Sequence, residues 1–434
     1  MYDVLVIGAG VSGLAAAKKL KEEGKKVLVL EARNRLGGRI HTDRRWHVPV
    51  DLGASWAHGL EGGRNGLVEQ EEYRLELQPF SDLLAQIKDH AAYDEQHQRL
   101  DAARLAKLTL FVKTFFKSMA EAKDTRLNVS EILNTFQCDT VPSEDAVIFK
   151  NWLRNLMACW SGAELSETSI EVWQAMMEEG DQAYVTNGYD LLINKLAEGL
   201  DIYLNTPVTL VDYSEDGLVK ITAGADIYQA RAVVITLPIG VLKANVCRFI
   251  PELPSFKREA IAAMGSGLLD KAVLRFSECF WDANALSIQC FPTVQSPVQV
   301  YINYQVMMGA PILVAMYGGD VAEKIEKMTD QEAREFFIEP LQKIYGERFK
   351  APLEIIRTAW RDDAFSRGSY AYLPRNTESN VFDHLAESVE NCLFFAGEAT
   401  NKEAYASVHG AYESGLRVAN EILPVWRSSN SVSH

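Results

Sequence analysis

The alternation of apolar and polar positions divides this chain into elements before any chemistry is considered. Val4 to Ile7 is an uninterrupted apolar run, the pattern of a strand covered on both faces. An alanine-rich helical stretch follows and ends at Gly24, and a second apolar run occupies Val27 to Leu30, so the chain opens as strand, helix and parallel strand. Between Asp101 and Lys123, Leu105, Leu108, Phe111, Phe115 and Met119 fall on one face, which predicts an amphipathic helix packed against a neighbouring domain. A second helix is predicted over Ser143 to Trp160 with Ser143 as its N-cap. A third runs from Asn187, its expected cap, to Gly199.

Downstream the period shortens to two. The segments IYLNTPVTLVDYS and LVKITAG predict antiparallel strands, and Ala232 to Thr236 returns to the first sheet. Further strands are predicted at Asp270 to Phe276, Ser287 to Phe291, Gln299 to Tyr304, Ile312 to Tyr317 and Leu353 to Trp360. With helices at Val321 to Lys327 and Gln331 to Tyr345, these build a second sheet. Leu393 to Ala396 is a last buried strand before a terminal helix. Strands of the first kind occur at the start, middle and end, so two domains are interleaved in sequence.

Composition changes this picture little. The 434 residues suffice for two or three domains, and 47% hydrophobic with 24% charged residues suits a soluble globular protein. The net charge of -15 argues against nucleic acid or an anionic membrane as partner and favours cationic ligands. Cys138, Cys159, Cys247, Cys279, Cys290 and Cys392 show no C-x-x-C spacing, so neither a metal site nor a redox dithiol is expected. No apolar run reaches the roughly 18 residues of a membrane span. The first strand begins beside Met1, so a cytoplasmic protein is expected, with RSSNSVSH as a disordered tail.

The chemistry begins at the first turn. Gly8, Gly10 and Gly13 form G-x-G-x-x-G between a strand and a helix, and Glu31 ends the second strand about 20 residues on, the fingerprint of a bound dinucleotide. The first glycine permits the tight turn, the second lets the backbone approach a pyrophosphate, and the third lets helix and strand pack closely. The segment ARNRLGGR then places Arg33 and Arg39 around a glycine pair. VPVDLGASWAHGLEGGRNG is a glycine-dense loop of the kind that lines ligands, and it carries Trp56 and His58.

Four separated motifs carry a resemblance over nearly the whole chain: GAGVSG with ARNRLGGR, LAEGLDIYLNTPV with TLPIGVLK, MGSGLLDKAVLRFSECFWD, and FFAGEAT with SVHGAYESG. With them the sequence resembles the flavin-dependent amine oxidases, in particular their polyamine oxidase and lysine-specific histone demethylase branch. The N-terminal helical module and the coiled-coil insertion of the demethylases have no counterpart, which favours a small-amine oxidase. The resemblance implies an α/β fold in which a Rossmann-type FAD-binding domain with a mixed sheet is interleaved with an α+β substrate domain on a six-stranded sheet. The first is expected at 1–80, 187–255 and 375–426, the second at 81–186 and 256–374, with a tail at 427–434.

The same resemblance assigns residues. Gly8, Gly10, Ser12, Gly13, Glu31, Arg33, Gly38 and Arg39 match FAD-binding positions. Ala54, Ser55 and Trp56 would lie along the flavin, with Trp360 near it; Val208 would meet the adenine end, and Gly397, Glu398 and Val408 would close the site. For Glu398 a helix N-cap is the competing reading. Lys271 lies on an apolar strand, where an inward ammonium needs a polar site. It matches a lysine that holds a water against the flavin N5. Tyr370 and Tyr405 would flank the amine, and Glu178, Glu179 or Asp181 could receive distal amines. His58 stands where plant-type polyamine oxidases carry glutamate, and it either binds a substrate nitrogen or hydrogen-bonds to backbone. Before the last strand stands ESNVFDHLAES, without the cysteine of a covalent attachment, so noncovalent FAD is expected.

The implied reaction converts a cationic amine, spermine, spermidine or an N-acetyl derivative, with O2 and water to an aldehyde, a smaller amine and hydrogen peroxide. A monoamine or L-amino-acid oxidase and a flavin-binding interaction protein without turnover are the alternatives. A monomer and a homodimer fit equally.

Overall fold

The apolar runs at the start of the chain pair as parallel neighbours. Strand β1, Tyr2–Ile7, lies between β2, Val27–Leu30, and the distal half of the strand Asp226–Ile235, with Val4 facing Val27 on one side and Ala232 on the other. The computed structural model describes residues 1–60, 65–68, 70–79, 89–122, 127–170, 173, 182–291 and 299–429. Ile202–Tyr203 extends this sheet beyond β2, and Leu393–Phe395 pairs with the far side of Asp226–Ile235, both in parallel. The proximal half of Asp226–Ile235 instead joins an antiparallel hairpin, Val208–Glu215 with Leu218–Ala223. With Arg248–Ile250 the result is an eight-stranded mixed sheet. Ile202–Tyr203 was expected to be antiparallel. The helix Asp190–Ala197 precedes it and carries the chain back to the same end of the sheet, which makes the pairing parallel.

Helix α1, Val11–Glu22, lies on β1 through Leu14 and the run Ala15, Ala16, Ala17, all buried. Small side chains bring its axis close. At Gly13 the approach is closest, since a Cβ there would stand 2.1 Å from the carbonyl oxygen of Gly8. The terminal helix Val408–Ser429 packs beside α1, and the Ser12 and Ser414 hydroxyls bond at 3.0 Å. That helix continues into the stretch expected as a disordered tail; residues 430–434 lie outside the described residues.

The second sheet has six strands in the order Glu354–Arg357, Leu269–Arg275, Ile312–Gly318, Gln299–Asn303, Ser287–Cys290, Ala91–Tyr93. The outermost strand is shorter than its sequence pattern suggested. Helices Ala102–Ala120 and Ser143–Ser161 cover this sheet, and Leu108, Phe111, Phe115 and Met119 meet Trp152 in one apolar cluster. Two helix starts differ from expectation. Pro142 occupies the cap position and Ser143 is already helical. Asn187 bonds the Glu76 N–H and the Arg74 carbonyl instead of capping. A turn at Gly188, φ +93°, separates Asn187 from the helix, whose first N–H groups go to Asp51 and Thr42.

Among the described residues three small sheets complete the frame: Thr42–Asp43 pairs with Val50–Asp51, Ala183–Val185 pairs with both Trp56–Ala57 and Leu77–Pro79, and Gly265–Gly267 pairs with Tyr370–Tyr372. Among the described residues no helix is long and apolar enough to cross a membrane, and no cluster of three or more His, Cys, Asp or Glu is poised to hold a metal.

Candidate active site

A cavity of about 460 Å³ opens between the two large sheets, at the C-terminal ends of β1 and β2 where the connections diverge. Open α/β sheets bind ligands at that place. Gly8, Gly10 and Ser12 line one end, with Glu31, Arg33, Gly38 and Arg39 beside them and Val208 beyond. Ala54, Ser55, Trp56 and His58 come from the loop after Asp51, and Lys271, Trp360 and Tyr370 from the six-stranded sheet and its neighbours. Gly397, Glu398 and Val408 close the remaining side.

The nucleotide end is built from backbone. Gly8 has φ +102°, a conformation that glycine adopts without strain, and the N-terminus of α1 points its amides into the cavity. The Glu31 carboxylate accepts the Ala9 N–H at 2.7 Å and the Arg33 N–H at 2.8 Å, so it fixes both turns while keeping lone pairs for a ribose hydroxyl. Arg33 makes a bidentate pair with Asp363, both bonds 2.6 Å, and reaches the Ser366 hydroxyl at 2.7 Å. Asp363 and Ser366 were not identified from the sequence, because nothing local marks a partner 330 residues away.

Glu398 is the hub of the closing side. Its carboxylate accepts Arg39 at 2.8 Å, the Ala371 N–H at 3.2 Å and the Ala406 N–H at 3.0 Å. The cap position belongs to Gly397, so the competing N-cap reading does not hold. Glu398→Ala would leave a part-buried guanidinium and two N–H groups without their acceptor. An expected loss of about 3–5 kcal/mol in urea unfolding follows, with Glu398→Gln losing less. An unchanged midpoint for Glu398→Ala would contradict this role.

At the opposite end the Lys271 side chain is buried, and its Nζ donates to the Asp51 carbonyl at 2.8 Å, the Gly53 carbonyl at 2.6 Å and the Ser55 hydroxyl. It stands 5.6 Å from the Trp56 ring centre. Burial pulls the lysine down to about 8, against the opposing pull of Asp51. The Asp51 carboxyl is pushed up by burial, while the Thr42 hydroxyl and Lys271 favour its charged form. Asp51 is a site residue that the sequence reading passed over; a carboxylate inside the apolar run VPVDLGAS was the available signal. From Ser55 a hydrogen-bonded path continues to the buried phenols of Tyr184 and Tyr304.

Tyr370 lies on the cavity wall with its hydroxyl donated to the Trp160 carbonyl at 2.8 Å, and burial raises its phenol well above the ordinary range. His58 is drawn down to about 4 by burial and the neighbouring His409, opposed by a bond to Gln182, which leaves a neutral imidazole on the wall. Two expected residues are not brought to the cavity. Gly13 serves the contact between α1 and β1 described above. Tyr405 packs against Phe382 with ring centres 4.9 Å apart, because the loop turns at Ala406, φ +58°, and presents Ala406 and Ser407 to the cavity instead. Glu178, Glu179 and Asp181 lie outside the described residues.

Comparison with known proteins agrees with this geometry. The family described as flavin containing amine oxidoreductase matches residues 11–423. Polyamine oxidase 4 of Oryza sativa subsp. japonica is 34% identical over 96% of this chain and 88% of its own length. Lysine-specific histone demethylase 1 homolog 2 of Arabidopsis thaliana is 33% identical over 98% of this chain, which spans 58% of that protein. A solved structure of putrescine oxidase, a double mutant redesigned for cofactor binding, shares the fold with a TM-score of 0.77 and 19% identity, covering 98% of this chain and 99% of that one. The residues present fit the cofactor such a family carries. The amides at α1, the open backbone at Gly10, where a Cβ would meet nothing closer than the Gly37 carbonyl at 4.0 Å, and the Glu31 acceptor suit a dinucleotide, and the Lys271 end suits its reactive ring. The chain belongs to the flavin-containing amine oxidoreductases, and its cofactor is FAD.

Proposed function

We propose that the protein oxidises a polyamine at a carbon next to nitrogen, with O2 and water giving an aldehyde, a smaller amine and hydrogen peroxide. The observation that carries this reading is Lys271, buried at the cavity wall with its ammonium gathered by three oxygens. Bound FAD supplies the acceptor for the hydride equivalent that leaves the substrate carbon. Ser12, Glu31, Arg33 and Arg39, with Val208 beyond them, would hold the cofactor, and Glu398 fixes the wall that would close on it. Ser55 is shared between Lys271 and Tyr184. Its oxygen accepts the lysine N–H while its own hydrogen can point to the phenol, so lysine, serine and tyrosine form one hydrogen-bonded chain at the cavity wall.

Trp56, Trp360 and Tyr370 exclude bulk water, so an amine enters more readily in its neutral form. His58, kept neutral, offers a lone pair to a substrate N–H. Charge supports the same substrate class, because a chain of net charge -15 draws cationic amines toward it. Expected turnover, followed as peroxide, favours spermine, spermidine or their N-acetyl forms over monoamines and L-amino acids. Turnover confined to amino acids would overturn the polyamine assignment.

FAD is held without a covalent bond in this reading. Cys247 is the cysteine on the cavity wall among the described residues, and burial pushes its thiol up to about 12, far from the reactive thiolate. Acid precipitation is expected to leave the flavin in the supernatant. Flavin colour retained on the pellet would show a covalent link.

A further inference from the structure

Successive residues of a strand point to opposite faces. While Lys271 turns toward the cavity, Asp270 is fully buried on the other side of the same strand. Its Oδ1 accepts the Thr358 hydroxyl at 2.6 Å and the Trp360 N–H at 3.1 Å. Its Oδ2 is buried without a donor and faces the carboxyl of Glu326. Glu326, the last residue of the helix Gly319–Glu326, accepts the Arg361 N–H at 2.9 Å and the Asp362 N–H at 3.2 Å. The turn from Thr358 to Asp362 therefore hangs from two facing carboxyl groups by four hydrogen bonds.

That turn matters to the site. Trp360 lies on the cavity wall, and Thr358 exchanges hydrogen bonds with the backbone of Lys271, receiving its N–H at 2.8 Å and donating to its carbonyl at 2.9 Å. Two facing ionised carboxylates repel each other, whereas one proton between them makes a hydrogen bond. We propose that Asp270 and Glu326 share one proton and form a positioning pair that holds Trp360 on the cavity wall and Lys271 in place.

The surroundings agree. Burial first, then Glu326, pushes the Asp270 carboxyl up to about 8, opposed by Thr358 and the Trp360 N–H. The other titratable and charged groups facing the pair are otherwise engaged. Tyr317 on the adjacent strand is raised well above its ordinary range by burial and by Asp270. Arg357 on the edge strand pairs with Asp330 at 2.9 Å, and Arg361 with Glu323 at 3.5 Å. Among the described residues no cation forms an ion pair with Asp270 or Glu326.

The folded protein keeps on Asp270 a proton that the unfolded chain releases near pH ~4. Stability is therefore lost as pH rises from there through about 8, and is flat above it. Isotope-edited infrared spectra of the FAD-loaded protein test the pair without requiring turnover, so their failure is distinct from failure of the amine oxidase reading. A protonated-carboxyl band at neutral pH is expected, lost as pH passes about 8 and absent in Asp270→Asn. In Glu326→Gln its loss should shift to lower pH by about one unit or more. Should Asp270→Asn fail to fold, Glu326→Gln, altered at a partly exposed side chain, still decides. A wild-type protein without the band, or a midpoint unmoved in Glu326→Gln, would overturn the shared proton.

Discussion

Lys271→Met is expected to keep FAD bound while slowing flavin reduction or reoxidation by roughly 10²- to 10⁴-fold, the range of a positioned proton-handling group. Methionine has nearly the length of lysine and suits a buried strand. It abandons the Asp51 and Gly53 carbonyls and the Ser55 hydroxyl, and it removes one of the influences that favour the charged form of Asp51. The parts that would hold the nucleotide, Gly8, Glu31, Arg33 and the Arg39–Glu398 pair, lie on other elements and are untouched. Flavin content after gel filtration and stopped-flow absorbance of the flavin measure the two halves of this expectation separately. Unchanged rates in both directions would make Lys271 a structural residue.

Gly13→Ala is expected to lose FAD. Its methyl group would stand 2.1 Å from the Gly8 carbonyl oxygen and 3.1 Å from the Val6 side chain. Neither neighbour can yield, because Gly8 belongs to the turn that receives the pyrophosphate and Val6 is fully buried in the sheet. Pushing α1 away costs about 3 kcal/mol or more and withdraws its amides from the ligand. Gly24→Ala is the control: φ there is +77° but a Cβ meets nothing within 4 Å, so about 1 kcal/mol of strain and full flavin content are expected. Equal flavin content in the two variants would contradict the packing argument.

Much of this architecture was legible because it depends on short-range pattern. The spacing of Gly8, Gly10 and Gly13 dictates a turn between β1 and α1, and an isolated lysine in LLDKAVLRF has few polar places to go. The first sheet follows from the unbroken apolar runs at Val4 to Ile7 and Val27 to Leu30 and from the alternating hairpin Val208–Glu215 with Leu218–Ala223. What the sequence did not disclose depends on distant partners or on single backbone turns. Arg33 spends its guanidinium on Asp363, and the Asp190–Ala197 helix is satisfied by Asp51 and Thr42 rather than by Asn187. Tyr405 and Ser407 are two residues apart, and the left-handed turn at Ala406 decides which of them meets the cavity. Asp270 shows the same limit, since its neighbour Lys271 could be read from the strand pattern but Glu326, 56 positions later, could not.

The most direct test of the central claim is anaerobic mixing of the FAD-loaded protein with spermine or spermidine while the flavin absorbance is recorded. Bleaching of the oxidised flavin by the polyamine, with recovery on admission of O2, is the expected result. An oxidised spectrum that persists with every amine offered would contradict the account and leave a flavin-binding protein without this chemistry.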